Sequence, residues 1–208
     1  ETWGAAFALG EIGDRTAIPV LMNILTNRPE ANSYEVMALG KLKAEEAVPI
    51  LISRLGNRRT ASVLEALLES GDKRAIDPIK SYLATNPDKS LTAVAKRVLV
   101  QLDSTDPVAE LIALLEAEPY EPERSDLLSA LARYPTDTRV LNQLSSITGK
   151  SDSAFMRRQA IYSLGEMNTD KSLLVLIELL DQEFPDDLKT QWGWKIPQKN
   201  FTNISIKL

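Results

Sequence analysis

The chain has 208 residues, 44% hydrophobic and 25% charged, a formal net charge of −5, and neither cysteine nor histidine. Those two zeros exclude disulfides, thiolate nucleophiles, Cys/His zinc sites, iron–sulfur ligation and the imidazole base of Ser-His-Asp chemistry. The acidic balance argues against wholesale capture of nucleic acid, and no apolar run approaches the roughly 20 residues of a membrane span. No signal-peptide pattern opens the chain, so a cytoplasmic location is expected. The chain starts at Glu1 rather than methionine, as a trimmed or processed product would.

Taken from the N-terminus, the chain repeats itself. A leucine recurs late in a first predicted helix, at Leu9, Leu39, Leu67, Leu99, Leu131 and Leu164. A second aliphatic follows each at Leu21, Leu51, Ile79, Leu111, Leu144 and Leu176. Three residues before that second position stand Ile18, Val48, Ile76, Val108, Leu141 and Leu173; four after it stand Leu25, Leu55, Leu83, Leu115 and Leu180. The fifth unit slips there, with Thr148 at the site and Ile147 beside it. Spacings of three and four place these side chains on one stripe of a helix. The first helices carry a matching stripe, interrupted by Glu35 and Lys96. Each unit is therefore a pair of amphipathic helices. Six units are expected, at about 1–28, 29–56, 57–86, 87–118, 119–150 and 151–182.

Turn chemistry fits the same plan. Gly13 and Gly71 stand where a helix end needs a left-handed residue, followed by Asp14 and Asp72 as caps. Asp106, Asp137 and Asp170 are placed to cap later second helices. Prolines 19, 49, 78 and 107 fall in first turns, where a missing N–H costs little. Gly10, Gly40 and Gly165 follow the recurring leucine and would let neighbouring helices approach closely.

The stretch ALGEIGD…AIPVL, sharpest over residues 5–55 and 155–180, resembles HEAT repeats, in particular the HEAT-like type of phycobilisome lyases. The resemblance implies an all-α fold, an α-α superhelix of about six helix pairs, that binds other proteins along a curved surface. It implies a non-enzymatic scaffold or adaptor, with a bilin lyase subunit or a phycobilisome-associated factor as the alternative. Tetrapyrrole propionates would want arginines such as Arg58, Arg59, Arg97, Arg157 and Arg158. A HEAT-like di-iron hydroxylase is excluded, because its ligands include histidine. HEAT-like DNA alkylation-repair proteins use a basic groove, which this acidic chain does not offer. No catalytic residue, cofactor or metal is expected.

Second helices usually line the concave side of such arrays. Their off-stripe residues Asn23, Ser53, Ser81, Ser146 and Glu178 would then form a shallow groove for a protein or peptide. Residues 103–126 carry a net −7 and residues 53–99 a net +4. The acidic block includes Glu116, Glu118, Glu121 and Glu123 and suggests docking of a basic partner segment. Trp3 and Phe7, four apart on the first helix, are surplus to the repeat. An upstream repeat, a second subunit or local packing would cover them. Beyond residue 182 the pattern stops. Residues 183–208 read as a capping tail, in which Trp192 and Trp194 could serve instead as partner anchors.

Overall fold

The computed structural model describes residues 2–28, 33–85, 87–150 and 153–181. Over these the chain is helical, with no strand among the described residues. Helices come in consecutive pairs: α1 (Thr2–Ile12) with α2 (Ile18–Asn27), α3 (Ser33–Lys41) with α4 (Val48–Ile52), and α5 (Thr60–Ser70) with α6 (Ile76–Ala84). They continue with α7 (Lys89–Asp103) and α8 (Pro107–Ala117), α9 (Glu121–Ala132) and α10 (Thr138–Lys150), then α11 (Ala154–Met167) and α12 (Asp170–Asp181). The fold is an all-α, HEAT-like solenoid.

The turns are built as their residues require. Gly13 and Gly71 adopt φ of +76° and +68°. Asp14 and Asp72 then accept hydrogen bonds from the Thr16 and Arg74 amides, starting the 3-10 turns that lead into α2 and α6. Asp106 accepts from the Ala109 amide at the start of α8, and Asp137 from the Arg139 amide at the start of α10. These bonds and the shared Arg139 guanidinium hold both carboxyls below their ordinary pKa. Asp170 differs from expectation. It lies inside α12, and the cap is Thr169, one residue earlier. Thr169 Oγ1 accepts from the Ser172 amide while Ser172 Oγ accepts from the Thr169 amide, a reciprocal arrangement that satisfies two donors at once.

The leucine stripes form the core. Leu21, Leu39, Leu51, Leu67, Ile79, Leu111, Leu131, Leu144 and Leu164 are fully buried. Leu9 and Leu99 are half-buried against the same core. In the last two second helices the stripe turns by a residue. Val140, Leu144 and Ile147 are buried in α10 with Leu141 at the margin, and Ser172 and Leu179 are buried in α12. Leu173 and Leu180, expected in the core, are 55% and 72% exposed because no described element follows α12. Of the two residues that interrupt the first-helix stripe, Lys96 points to solvent, whereas Glu35 is buried with Oε2 unpartnered.

Successive first helices pack more intimately than successive second helices. Small side chains permit this. A Cβ placed on Gly10 would lie 3.0 Å from the Ala38 Cα, and one on Gly40 would lie 2.8 Å from the Ala66 Cα. Helix spacing follows side-chain size at the contact, and a two-layered stack bends toward its more tightly spaced layer. The first helices are thus the inner layer. An ion pair fits the bend: Arg133, the C-cap of α9, reaches Glu69 on α5, across the intervening α7.

One substitution tests this spacing. Gly40→Ala should gain up to about 1 kcal/mol in helix propensity. The new methyl would meet backbone, where overpacking costs about 1–3 kcal/mol. Net destabilisation is therefore expected in urea unfolding, and a more stable variant would contradict the close contact.

Candidate functional site: the inner ridge

Two positions on each first helix face the inside of the bend, two residues before and two after the recurring leucine. They read Phe7/Glu11, Met37/Lys41, Glu65/Glu69, Arg97/Gln101, Ser129/Arg133 and Tyr162/Glu166. Side chains four apart on a helix stand one above the other, so the six pairs make a double row running along the array. Its end rungs each pair an apolar or aromatic side chain with a charged one. Phe7, Met37 and Tyr162 are each exposed. Its middle is charged.

Neighbouring rungs are tied across helices. Lys41 pairs with Glu11 and also sits over the Phe7 ring, 5.2 Å from its centroid. Arg97 pairs with Glu65 and donates from Nη1 to Gln101 Oε1 at 3.2 Å. Its side chain is only 8% exposed, and its buried Nε has no partner. Such a residue is held in one orientation and gives the ridge a rigid centre.

Around Arg97 the inner layer opens into a groove of about 570 Å³, lined by Glu65, Arg97, Asp126, Ser129, Arg133 and Glu166 among others. It draws on α5, α7, α9 and α11. The opening has a simple cause. The residue after the recurring leucine is glycine in α1, α3 and α11, but Leu68 in α5 and Val100 in α7. Bulk at that point pushes the middle helices apart. The two arginines are committed to Glu65 and Glu69, whereas Asp126 and Glu166 make no salt bridge among the described residues. Partial desolvation raises the Asp126 carboxyl above its ordinary pKa, with Arg97 opposing the shift and Glu65 and Glu123 adding to it. The groove therefore presents two uncommitted acids beside a fixed guanidinium.

The residues expected to form a groove from the sequence are placed elsewhere. Asn23, Ser53, Ser81, Ser146 and Glu178 are all exposed on second helices or their ends, in the wider-spaced layer. Two of them are already used locally: Asn23 Oδ1 accepts from Asn27 at 2.6 Å, and Ser53 Oγ donates to the Ile50 carbonyl at 2.7 Å. The acidic block is dispersed by ion pairs. Asp103 meets Lys80 at 2.9 Å and Asp106 meets Arg139 at 2.8 Å. Glu118 accepts from the Tyr120 amide, and Glu123 lines a second groove that also contains Lys89 and Lys96. Glu116 is exposed on α8 and Glu121 opens α9. Trp192, Trp194 and the expected capping tail lie outside the described residues, as does the Trp3 side chain. Among the described residues no cluster of carboxylates could hold a metal ion, and no helix is long and apolar enough to cross a membrane.

The raised pKa of Asp126 has a stability consequence with a definite sign. A carboxyl whose folded pKa exceeds its unfolded value of about 3.9 destabilises the fold when ionised. Asp126→Asn should therefore raise the melting temperature slightly at pH 7. The gain should shrink as pH falls through the folded pKa and be absent below the unfolded one. A variant equally stabilised at pH 3 and pH 7 would disprove an electrostatic origin.

No curated protein matches the chain. The family of HEAT repeats, however, matches residues 2–70 and 108–193, well over half of the sequence. The unmatched stretch between them, residues 71–107, contains α6 and α7, the latter carrying Arg97 and Val100. With its paired helices, its bend and this match, the chain belongs to the HEAT-repeat family.

Proposed function

We propose that this helical-repeat protein is a non-enzymatic scaffold that holds an extended or helical segment of another protein along its inner ridge. The observation that carries this reading is the pairing of Asp126 and Glu166, both without salt bridges, with exposed apolar side chains farther along the same surface. A segment with a central basic residue and flanking apolar ones would meet complementary chemistry at each point. Its lysine or arginine would enter the groove beside Asp126 and Glu166. Its apolar residues would cover Tyr162 on one side and Met37 and Phe7 on the other.

The energetics fit a binding surface better than a catalytic pocket. The groove is open, and an exposed carboxylate gains modestly from one partner, so affinity must be distributed over several contacts. Aromatic side chains standing on rigid helices lose little entropy when covered and commonly supply the anchors. The charged centre would then set register and accelerate encounter.

A fluorescently labelled peptide of alternating arginine and leucine is a suitable probe for anisotropy titration. Asp126→Lys combined with Glu166→Lys should weaken binding by roughly tenfold or more, equivalent to at least about 1.4 kcal/mol. Added salt should weaken the parent protein's binding in the same direction. The matched double change Asn23→Lys and Ser81→Lys on the outer layer should have little effect. If the outer-layer pair is the one that abolishes binding, the inner ridge is not the recognition surface.

A further inference from the structure

The second helix of the second unit stops early. α4 has five residues, where α2, α6 and α8 have ten, nine and eleven. Residues 53–59 run instead through consecutive turns. The Arg54, Leu55 and Asn57 amides donate to the Leu51, Ile52 and Arg54 carbonyls at 3.0, 3.0 and 3.2 Å. Gly56, at φ +85°, takes the chain off the helical path. The loop is braced from beneath by Thr60, which is buried. Its Oγ1 accepts from the Gly56 amide at 3.0 Å and donates to the Asn57 carbonyl at 2.6 Å. Side chains tie the loop to both preceding helices of its edge. Arg54 donates to the Leu25 and Arg28 carbonyls at the end of α2, and Arg59 Nη1 donates to Ser33 Oγ at the start of α3, 3.3 Å away.

These contacts gather Arg28, Arg54, Arg58 and Arg59 on one edge of the array, and the run 53–60 contains no acid. Arg28, Arg58 and Arg59 are exposed and make no salt bridge among the described residues. By contrast Arg15, Arg74, Arg97, Arg133 and Arg139 each meet a carboxylate. We propose that this edge docks a short acidic segment of a partner protein, one carrying at least a pair of aspartates or glutamates. A guanidinium presents a planar fork of donors that matches a carboxylate in bidentate fashion. The backbone that carries Arg58 and Arg59 is already fixed by its own hydrogen bonds, so less freedom is lost on binding. The size of the patch and the charge of the whole chain select a short occupant. At a net −5, the chain would repel a long polyanion wherever it ran beyond these arginines. Nor does the loop carry an aromatic side chain on which a nucleic-acid base could stack. The edge is separate from the inner ridge, and the two surfaces stand or fall independently.

A fluorescein-labelled peptide of alternating glutamate and alanine is the probe, titrated by anisotropy with the whole chain at low ionic strength. The parent protein should bind it, and added salt should weaken that binding. Arg28→Glu combined with Arg58→Glu should weaken it by roughly tenfold or more. Neither side chain makes a hydrogen bond or ion pair among the described residues, so the melting temperature should stay that of the parent. Lys73→Glu combined with Lys171→Glu, an equal change of charge at exposed positions away from the loop, should have little effect. A parent protein that does not bind the peptide would overturn the proposal, as would an Arg28 and Arg58 variant that binds like the parent. Equal losses in the two double variants would also overturn it, since net charge alone would then account for them. A labelled single-stranded oligonucleotide of the same charge completes the comparison. If it binds more tightly than the peptide, and loses that binding in the arginine double variant, the edge is a nucleic-acid site and the acidic segment is the wrong occupant.

Discussion

The feature on which the rest depends is the near-contact of successive first helices at positions that carry almost no side chain. Gly10 against Ala38 and Gly40 against Ala66 bring one layer of the stack closer than the other. That inequality is the source of the curvature. Curvature in turn makes side chains from different repeats converge on the inside, so that Arg133 can reach a glutamate two repeats away. A flat stack of the same helices would have the same leucine core but no inner ridge, no groove and no convergence of charge.

The stripe that buries the core and the stripe that faces the inside lie on the same helices. They are subject to different constraints. Core positions tolerate only aliphatic side chains, which is why leucine recurs with such regularity. Inner-ridge positions are free to vary, and they do: Phe7, Met37, Glu65, Arg97, Ser129 and Tyr162 have no common chemistry. Such a surface can be rewritten rung by rung without touching the fold. The buried Arg97 is the exception, because it is tied to both Glu65 and Gln101. Replacing it would leave a carboxylate beside an unfilled space.

Much of the fold was legible because helical periodicity and turn chemistry agree. The stripe through Leu21 and Leu25, the left-handed glycines and the capping aspartates each report local physics that tertiary packing does not override. The side of the bend was not legible from the second-helix pattern. Small polar residues such as Ser53 and Ser81 suit an exposed face of either curvature, so their composition carries no sign. The informative signal lay in the first helices, in the glycine after the recurring leucine and in its loss at Leu68 and Val100. Nor could block charge show that Asp103 and Asp106 are engaged by Lys80 and Arg139, since those partners come from 23 residues upstream and 33 residues downstream. The one-residue turn of the stripe in α10 and α12 was hidden for another reason. Adjacent apolar residues, Val140–Leu141 and Leu179–Leu180, allow either phase.

The buried apolar side chains form two clusters, one running from Ala6 to Val98 and the other from Val108 to Met167. The division falls at α7 and α8, directly behind the charged groove. Aliphatic contacts lose energy steeply when parted, whereas exposed ion pairs exchange readily for water. The seam is crossed by the Arg133–Glu69 ion pair and by Val100 of α7, which packs against the second cluster. Added salt therefore weakens one of the ties between the arms while leaving the aliphatic core of each untouched.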